Sequence, residues 1–188
     1  DLVIKSVHKT IPGMTQTALL HVCGDRIDRE KLRRFLRVYQ TSSPSYILMA
    51  SIDNALRFVE EQGEQAYSNF AAVYTAMRRD LAACTHMHFP EENAVKQDVG
   101  KLVISVKGTD MSGKELYRVL LEQYHLQLEM ASETYALAMF TIGDTPEGYL
   151  RMRDALLEID ARLHTVSGEA EAAVVSAQSD VESIALWQ

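Results

Sequence analysis

One lysine, Lys9, is the side chain of this sequence best placed for covalent chemistry, because it follows an apolar stretch and stands among polar groups. The apolar residues 2–4 are typical of a buried strand, and Ser6, His8 and Thr10 flank the lysine. A lysine becomes a nucleophile when partial burial or a neighbouring cation disfavours its protonated form. Short hydroxyl groups beside it are suitable donors for a phosphate. The alternative is a solvated lysine after an edge strand.

Two other residue pairs bear on chemistry, and neither predicts a site. His86 and His88 form an H-x-H pair, but no third ligand lies near them in sequence, so we predict no metal site. Cys23 and Cys84 form no C-x-x-C pair, so neither a disulfide framework nor a zinc site is indicated. We therefore expect the two thiols in a reducing, cytoplasmic setting.

The composition is that of a globular protein with an acidic surface. Of the 188 residues, 47% are hydrophobic and 24% are charged, and the formal net charge is −7. This charge argues against a general binder of nucleic acids or of anionic membranes. No apolar run approaches the roughly 18 residues of a membrane span, and we expect no secretory signal. The sequence begins on a strand without methionine, so we expect a piece of a longer protein.

The elements that must position Lys9 are two short strands, predicted over residues 2–7 and 16–23, with the lysine in the loop between them. Asp28 is a suitable N-cap for the helix that follows. This helix carries a basic cluster, which we interpret as a solvated helix face. The cluster comprises Arg29, Lys31, Arg33, Arg34 and Arg37.

Two further helices and a linker are predicted in the middle of the chain. Ser43 as an N-cap and Pro44 at the first helical position predict the start of a helix that should stop near Gly63. The spacing of apolar residues predicts another helix over residues 64–83. Periodicity is lost over residues 85–100, which we interpret as a linker or long loop.

The last part of the chain follows a strand-helix-strand-strand-helix pattern, typical of a compact α+β lobe. Ser112 and Glu115 form a capping box for the first of its helices. Thr145 and Pro146 begin the second. The predicted strands are residues 102–107, 126–130 and 135–142.

Three polar motifs follow one another along the chain: Ser6-Val7-His8-Lys9, Thr15-Gln16-Thr17-Ala18 and Gln40-Thr41-Ser42-Ser43-Pro44-Ser45-Tyr46. Their order and spacing resemble the pyridoxal-phosphate (PLP) site of the Orn/Lys/Arg decarboxylase family. The resemblance implies an α/β chain, namely the later part of a fold-type-I PLP catalytic domain followed by a small α+β lobe. The implied division is the C-terminal part of the major domain with linking helices at 1–84, a linker at 85–100, the lobe at 101–164 and a weakly patterned tail at 165–188.

The resemblance also assigns roles around the lysine. It implies that Lys9 forms a Schiff base with PLP and is catalytic together with His8, and that Ser6 and His8 contact the cofactor phosphate. A dianionic phosphate is well served by several short donors. In the family, the carboxylate on the pyridine nitrogen and the group stacked on the ring precede the lysine motif, so both would lie upstream of Asp1. We therefore expect the isolated chain to bind PLP poorly and to be inactive.

The later hydroxyl groups imply a shared site. In similar enzymes the segment that matches Thr41, Ser42 and Ser43 reaches the phosphate of the neighbouring subunit's cofactor. This implies a homodimer or higher homo-oligomer, and the expected position before a helix suits anion binding. The alternative for Ser43 is that it only caps its own helix.

The implied reaction is PLP-dependent decarboxylation of a basic amino acid to a polyamine-type amine and CO₂. Arginine is favoured because the chain looks most like the shorter bacterial members of the family, and lysine and ornithine remain open. Glu129 is the candidate carboxylate for the basic tip of the substrate, with a solvated strand residue as the alternative. Asp110 is a weaker candidate.

Two other classes of function remain open. Another fold-type-I PLP enzyme, such as an aminotransferase, would usually fix the substrate carboxylate with an arginine in the small lobe. Arg118, Arg151 and Arg153 are all expected on helices there, which counts modestly against this class. A non-catalytic α+β module for ligand binding or dimerisation would leave Lys9 incidental.

Overall fold

The computed structural model describes residues 2–90 and 98–166, and these residues fall into two units that we treat separately. The first unit is Asp1–Ala71 with Thr141–Gly143, and the second is Ala72–Phe140 with the chain from Asp144 onwards. Residues 91–97 of the predicted linker, and all of the predicted tail beyond Val166, lie outside the described residues. The fourfold division predicted from the sequence therefore stays a prediction.

An antiparallel ribbon forms the start of the first unit. Strand β1 (Leu2–Ser6) pairs with β2 (Ala18–Val22), in a register that places Leu2 opposite Val22 and Ser6 opposite Ala18. The chain between the strands begins with a single helical turn, α1 (Val7–Thr10). The two strands are confirmed, and the segment of Lys9, predicted as a loop, begins as this turn.

The predicted burial of the first strand is wrong. Leu2 is 44% exposed, Val3 46% and Ile4 73%. A two-stranded ribbon has two faces, and neither is covered when no second layer packs on it. Within the described part of the first unit no such layer covers these side chains. The apolar sequence therefore indicated the strand correctly and its environment incorrectly.

Helix α2 (Arg29–Tyr39) begins as the sequence predicted. The side chain of Asp28 accepts hydrogen bonds from the N–H of Glu30 at 3.0 Å and of Lys31 at 2.9 Å. Every residue of α2 is half-buried or exposed, and the five basic side chains are all exposed, which confirms a solvated basic face. Its apolar side shows one stacked pair, Phe35 and Tyr39, with ring centroids 6.2 Å apart.

The two helices predicted over residues 43–83 are a single helix, α3 (Tyr46–Leu81), of 36 residues. Gly63 does not end it, because one helical glycine costs only about 1 kcal/mol relative to alanine and the flanking residues are good helix formers. The predicted start is also wrong. The first helical residue is Tyr46, and the Oγ of Ser45 accepts the N–H of Leu48 at 3.4 Å.

The second unit confirms the predicted order of elements. Its antiparallel sheet has the strand order β3 (Lys101–Ser105), β5 (Tyr135–Met139), β4 (Met130–Ala131), with α4 (Gly113–Tyr124) packed against β5. Helix α5 (Pro146–Asp160) completes the unit and contacts α4. The strand predicted over residues 126–130 is largely wrong, because β4 shares only Met130 with it. The core includes Leu102, Ile104, Leu116, Leu120, Ala136, Leu156 and Ile159.

Local signals in this unit are confirmed at both helix starts. The side chain of Ser112 accepts the N–H of Glu115, and that of Thr145 accepts the N–H of Gly148. Part of the predicted linker also belongs to the sheet, since His88 and Ser105 exchange backbone hydrogen bonds of 2.9 and 2.8 Å. No helix among the described residues combines the length and apolar character needed to cross a bilayer.

Gly113 is expected to tolerate no side chain, so Gly113→Ala should lower the free energy of unfolding by about 2 kcal/mol. A Cβ there would collide with the carbonyl oxygen of Tyr135 and lie 2.5 Å from that of Ser132. These are backbone atoms, and they cannot rotate away. Urea unfolding followed by circular dichroism measures the change.

The matched control is Gly148→Ala in α5, where the nearest atom, the Oγ1 of Thr145, would be 3.8 Å from the new Cβ. Helix propensity should make this substitution neutral or slightly stabilising. Equal stability of the two variants would contradict the packing of α4 on the β4–β5 hairpin.

Candidate active site

Lys9 stands on the lysine turn, the name used below for α1 (Val7–Thr10), and its side chain is exposed. Val7 fixes the turn through its backbone and through its side chain. The N–H of Val7 donates to the carbonyl of Thr17 at 3.1 Å, and Val7 itself is only 1% exposed. The turn therefore has a buried anchor and presents the next residues, His8 and Lys9, toward the outside.

The imidazole of His8 is held by the same carbonyl. Its Nδ1 lies 3.0 Å from the oxygen of Thr17. A carbonyl oxygen can only accept, so Nδ1 carries the hydrogen in this contact. In the neutral ring Nε2 is then an acceptor, and in the imidazolium it is a donor. The geometry thus distinguishes the two ring nitrogens and leaves Nε2 as the one outside this bond.

Thr17 is the residue that organises the loop, and its role was not assigned from the sequence. It is 2% exposed, its carbonyl accepts from Val7 and His8, and its Oγ1 donates to the carbonyl of Met14 at 2.6 Å. Gln16 before it has a positive φ of 71°, which an L-residue adopts at some cost. The motif Thr15-Gln16-Thr17-Ala18 pointed to this segment but not to the backbone bonds within it.

A helix distant in sequence also contacts the loop. The N–H of Met14 donates to the Oγ of Ser51, in α3, at 2.8 Å. Ser51 is half-buried and 37 residues away in the chain. Nothing in the spacing of the motifs predicted this contact.

Ser6 immediately precedes the lysine turn. It is the N-cap residue of the lysine turn, yet its side chain makes no capping hydrogen bond to the described turn. It is half-buried, and the hydroxyl residues Thr10 and Thr15 are exposed. Ser6, His8 and Lys9 are therefore consecutive or nearly so on one structural feature, whereas the phosphate contacts of Ser6 and His8 stay predictions.

The hydroxyl segment, defined as Thr41, Ser42 and Ser43, is exposed throughout. The Oγ1 of Thr41 accepts the N–H of Ser43 at 3.1 Å, which shapes the segment locally. The alternative that Ser43 caps its own helix is wrong, because α3 begins at Tyr46 with Ser45 before it. The contact of this segment with a partner subunit's cofactor stays a prediction.

The two acidic candidates for substrate binding lie in the second unit. Glu129 is exposed just before β4, and its N–H donates to the carbonyl of Leu137 at 2.9 Å. Asp110 has a structural partner, because its Oδ1 accepts the N–H of His164 at 2.9 Å. Lys9 belongs to the other unit, so a substrate contact by Glu129 stays a prediction.

The histidine pair predicted to bind no metal is used in part for structure. His86 lies beside Asp160, whose buried carboxylate accepts the N–H groups of Thr85, His86 and Met87 at 2.8, 3.0 and 2.6 Å. Burial raises the pKa of Asp160, but these backbone donors and His86 outweigh it and hold the pKa below its usual value. Among the described residues no cluster of three or more potential metal ligands occurs.

Cys84 lies close to this carboxylate, and its thiol is expected to be unreactive. Its burial, and then the charge of Asp160, raise the pKa of the thiol to about 12. The thiolate is the nucleophilic form of cysteine, so a thiol with this pKa is unreactive near neutral pH. Cys23 is exposed, and both cysteines are free.

The arginines of the second unit have internal partners. Arg118 pairs with Glu115 and Glu122 on its own helix. Arg151 donates to the carbonyls of Tyr124 and His125 at 2.9 and 3.3 Å, where it satisfies the end of α4. Arg153 pairs with acidic side chains, namely Asp80 and Asp154.

Known structures share this fold. A lysine decarboxylase of Francisella novicida aligns with a TM-score of 0.68 and 19% identity, over 85% of this chain and 28% of that one. The constitutive lysine decarboxylase of E. coli aligns with a TM-score of 0.64 and 17% identity, over the same shares of each chain, 85% and 28%. The fold is therefore the α/β architecture of part of a fold-type-I PLP domain, as the sequence predicted.

Sequence comparison gives the family. Residues 2–143 match the family model described as Orn/Lys/Arg decarboxylase, major domain. The chain belongs to the Orn/Lys/Arg decarboxylase family, which confirms the resemblance.

The relatives are bacterial. The arginine decarboxylase of Bacillus subtilis is 27% identical over 165 residues, which are 85% of this chain and 34% of the relative. An arginine decarboxylase of Bacillus anthracis is 25% identical, over 86% of this chain and 34% of the relative. An uncharacterised protein of Bacillus subtilis, YaaO, is 32% identical over 76% of this chain and 30% of that protein. The chain thus spans about a third of the length of the curated relatives it matches.

Proposed function

We propose that this chain is the lysine-bearing part of a PLP-dependent decarboxylase of basic amino acids, and that Lys9 is the residue that binds the cofactor covalently. The observation that carries the proposal is the lysine turn. It presents Lys9 next to His8, whose ring is oriented by the carbonyl of Thr17. Membership of the decarboxylase family supports the same reaction class.

The groups at the turn fit PLP. A primary amine is required for its aldehyde, and Lys9 supplies an exposed one. A phosphate is best held by short donors, and the hydroxyl of Ser6 is not used to cap the turn. The ring of His8 can donate through Nε2 when it is protonated, because Nδ1 already faces the oxygen of Thr17. Ser6, His8 and Lys9 are thus the cofactor-binding residues that we propose in this part of the site.

When bound, PLP supplies an electron sink for the bond that releases CO₂. The residues of the lysine turn would contribute as follows. Lys9 would hold the cofactor through its amine, and Lys9 or a neighbouring acid would supply the proton that the α-carbon of the substrate needs. His8 and Ser6 would hold the phosphate and so limit the orientations that the cofactor can take.

Among basic amino acids we propose arginine as the substrate, with lysine and ornithine as the other candidates. Two of the three relatives described above are called arginine decarboxylases. We propose Glu129 as a partner for the basic tip, since it is exposed and acidic. An aminotransferase is less well supported, because Arg118, Arg151 and Arg153 all have partners within the second unit.

The assay that tests the function measures CO₂ release by the full-length protein from arginine, lysine and ornithine, with and without added PLP. We expect release from one of the three, most rapidly from arginine, and dependence on PLP. Transfer of the amino group to a keto acid, without CO₂ release, would instead identify an aminotransferase.

A shared site is part of the proposal: a homodimer or larger homo-oligomer in which the hydroxyl segment of one subunit binds the phosphate held at Lys9 of its partner. We propose a cytoplasmic enzyme whose ligands are its cofactor and a small basic amino acid, with no role for nucleic acid or membrane. The exposed hydroxyls of Thr41, Ser42 and Ser43 support this arrangement, because a partner can reach them.

Mixed oligomers test the sharing. Subunits with Lys9→Ala and subunits with all three hydroxyl residues changed to alanine should each be nearly inactive, the latter through a loss of PLP affinity on the order of a hundredfold. Random pairing should restore about a quarter of wild-type activity, because half of the dimers are mixed and each has one intact site. No recovery on mixing would show that the hydroxyl segment serves its own subunit.

The isolated chain should bind PLP poorly, because the groups expected to hold the pyridine nitrogen and to stack on the ring precede Lys9 in the family. Titration of the 188-residue chain with PLP, followed by absorbance, measures the affinity. The full-length protein is the control, and equally tight binding by both would contradict this expectation.

A further inference from the structure

A chain of hydrogen bonds connects α3 to the lysine turn, and both peptide groups of Met14 take part in it. The N–H of Met14 donates to the Oγ of Ser51 at 2.8 Å. Its carbonyl accepts the Oγ1–H of Thr17 at 2.6 Å. Met14 is itself 52% exposed, so its position depends on these two polar bonds more than on packing of its side chain.

The chain continues from Thr17 into the turn. The carbonyl of Thr17 accepts from the N–H of Val7 at 3.1 Å and from the Nδ1 of His8 at 3.0 Å. Four hydrogen bonds therefore connect Ser51 with the residues immediately before Lys9. Thr17 is 2% exposed, so water is a poor substitute for its partners.

Close packing at Gly13 is a second link between the loop and the turn. A Cβ on Gly13 would lie 2.5 Å from the Cγ1 of Val7 and 3.3 Å from the Oγ1 of Thr17. The backbone of Gly13 is therefore in contact with both residues that fix the turn. We expect a displacement of Met14, the next residue, to disturb Val7 and His8 for this reason.

The hydroxyl of Ser51 makes a hydrogen bond that is not part of the hydrogen bonding within α3. A serine within a helix commonly bonds to a carbonyl of the preceding turn or faces solvent. Here its hydroxyl accepts an N–H from outside the helix, at 2.8 Å. Ser51 also stands early in α3, the helix that follows the hydroxyl segment in sequence.

We propose that Ser51 is a positioning residue for the lysine turn, which acts through Met14 and Thr17 to fix the tautomer and orientation of His8. Its relevance to the cofactor rests on the proposed function. Ser51 does not touch the reacting atoms. It fixes the positions of the Nε2 of His8 and the amine of Lys9 before the phosphate and the aldehyde of the cofactor bind. It therefore contributes to cofactor affinity.

The test uses the full-length protein with three substitutions in α3. Ser51→Ala removes the acceptor for Met14, Ser51→Thr retains a hydroxyl at the same position, and Ser68→Ala removes an exposed serine from the same helix. Two measurements are made without cofactor: hydrogen exchange of the Met14 amide, and the ring tautomer of His8 by nitrogen NMR. PLP affinity and thermal stability are measured as well.

We expect Ser51→Ala to accelerate exchange at Met14 about tenfold, to lower the share of the His8 tautomer with hydrogen on Nδ1, and to weaken PLP binding about tenfold. Ser51→Thr should restore all three, and Ser68→Ala should change none. Thermal stability is the control for a general loss of structure. An equal loss of thermal stability in Ser51→Ala and Ser68→Ala could not explain changes that occur in Ser51→Ala alone.

The proposal is overturned if exchange at Met14 and the tautomer of His8 in Ser51→Ala match those in Ser68→Ala. It is also overturned if both change and PLP affinity does not. Failure of the proposed function looks different, because the wild-type protein would then not bind PLP, while the tautomer of His8 would still report whether Ser51 positions the turn.

Discussion

Lys9→Ala should lower decarboxylation by the full-length protein at least about a thousandfold and should abolish covalent capture of the cofactor. The amine of Lys9 is the group that would bond to the cofactor, and no neighbouring side chain on the lysine turn can replace it. Substitutions of residues that act as a unit with a covalent nucleophile typically have effects of this size.

The matched control is Lys5→Ala. Lys5 is an exposed lysine on β1, four residues before Lys9 in sequence, and it lies opposite Leu19 in the strand register. Its substitution should leave activity within about twofold of wild type. A non-catalytic module makes the opposite prediction for Lys9, namely that Lys9→Ala and Lys5→Ala behave alike. Rates measured at saturating PLP and substrate distinguish the two.

Asp160→Ala should lower the free energy of unfolding by about 4 kcal/mol, the largest effect on stability that we expect in the second unit. The carboxylate is 4% exposed and accepts the N–H groups of Thr85, His86 and Met87. Alanine leaves three backbone donors near the buried end of α5 without their charged acceptor. Urea unfolding followed by circular dichroism measures the loss.

The same interaction predicts a dependence on pH. The folded protein holds the pKa of Asp160 below its value in the unfolded chain, which is about 3.9. A lowered pKa means that the folded state favours the carboxylate. The stabilisation is therefore complete above the unfolded-state pKa and is lost as the pH falls through the folded-state pKa. The difference between wild type and Asp160→Ala should shrink over that acid range.

Asp154→Ala is the control for this substitution. Asp154 lies on the same helix, is exposed and pairs with Arg153 at the surface. Exposed ion pairs contribute little, so its loss should cost less than about 1 kcal/mol. A similar cost for the two variants at neutral pH would contradict the role of Asp160 as the buried acceptor for residues 85–87.

The sequence predicted those parts of the fold that depend on neighbouring residues. Asp28, Ser112 and Thr145 begin helices because each side chain bonds to an N–H two or three residues ahead, and such signals are local. The helix does not end at Gly63 as predicted, because the free-energy cost of one glycine is small beside that of ending a 36-residue helix. The exposure of Ile4 was not predictable, since it depends on what packs over the strand.

The candidate site also has a part that the sequence predicted and a part that it did not. The motif around Lys9 could be recognised, because side chains at fixed spacing carry the chemistry. The contributions of Thr17 and Ser51 could not be recognised, because their partners are the backbone N–H groups of Val7 and Met14. A backbone N–H carries no sequence signal. Only the folded chain shows that Ser51, 37 residues after Met14, accepts the N–H of Met14.

The central claim is that Lys9 is the covalent attachment point of PLP, and borohydride reduction tests it most directly. The full-length protein, loaded with PLP, is reduced, digested and mapped by mass spectrometry. We expect one reduced cofactor adduct, on the peptide that contains Ser6-Val7-His8-Lys9, with fragmentation placing it on Lys9. An adduct on any other lysine, with Lys9 unmodified, would contradict the claim.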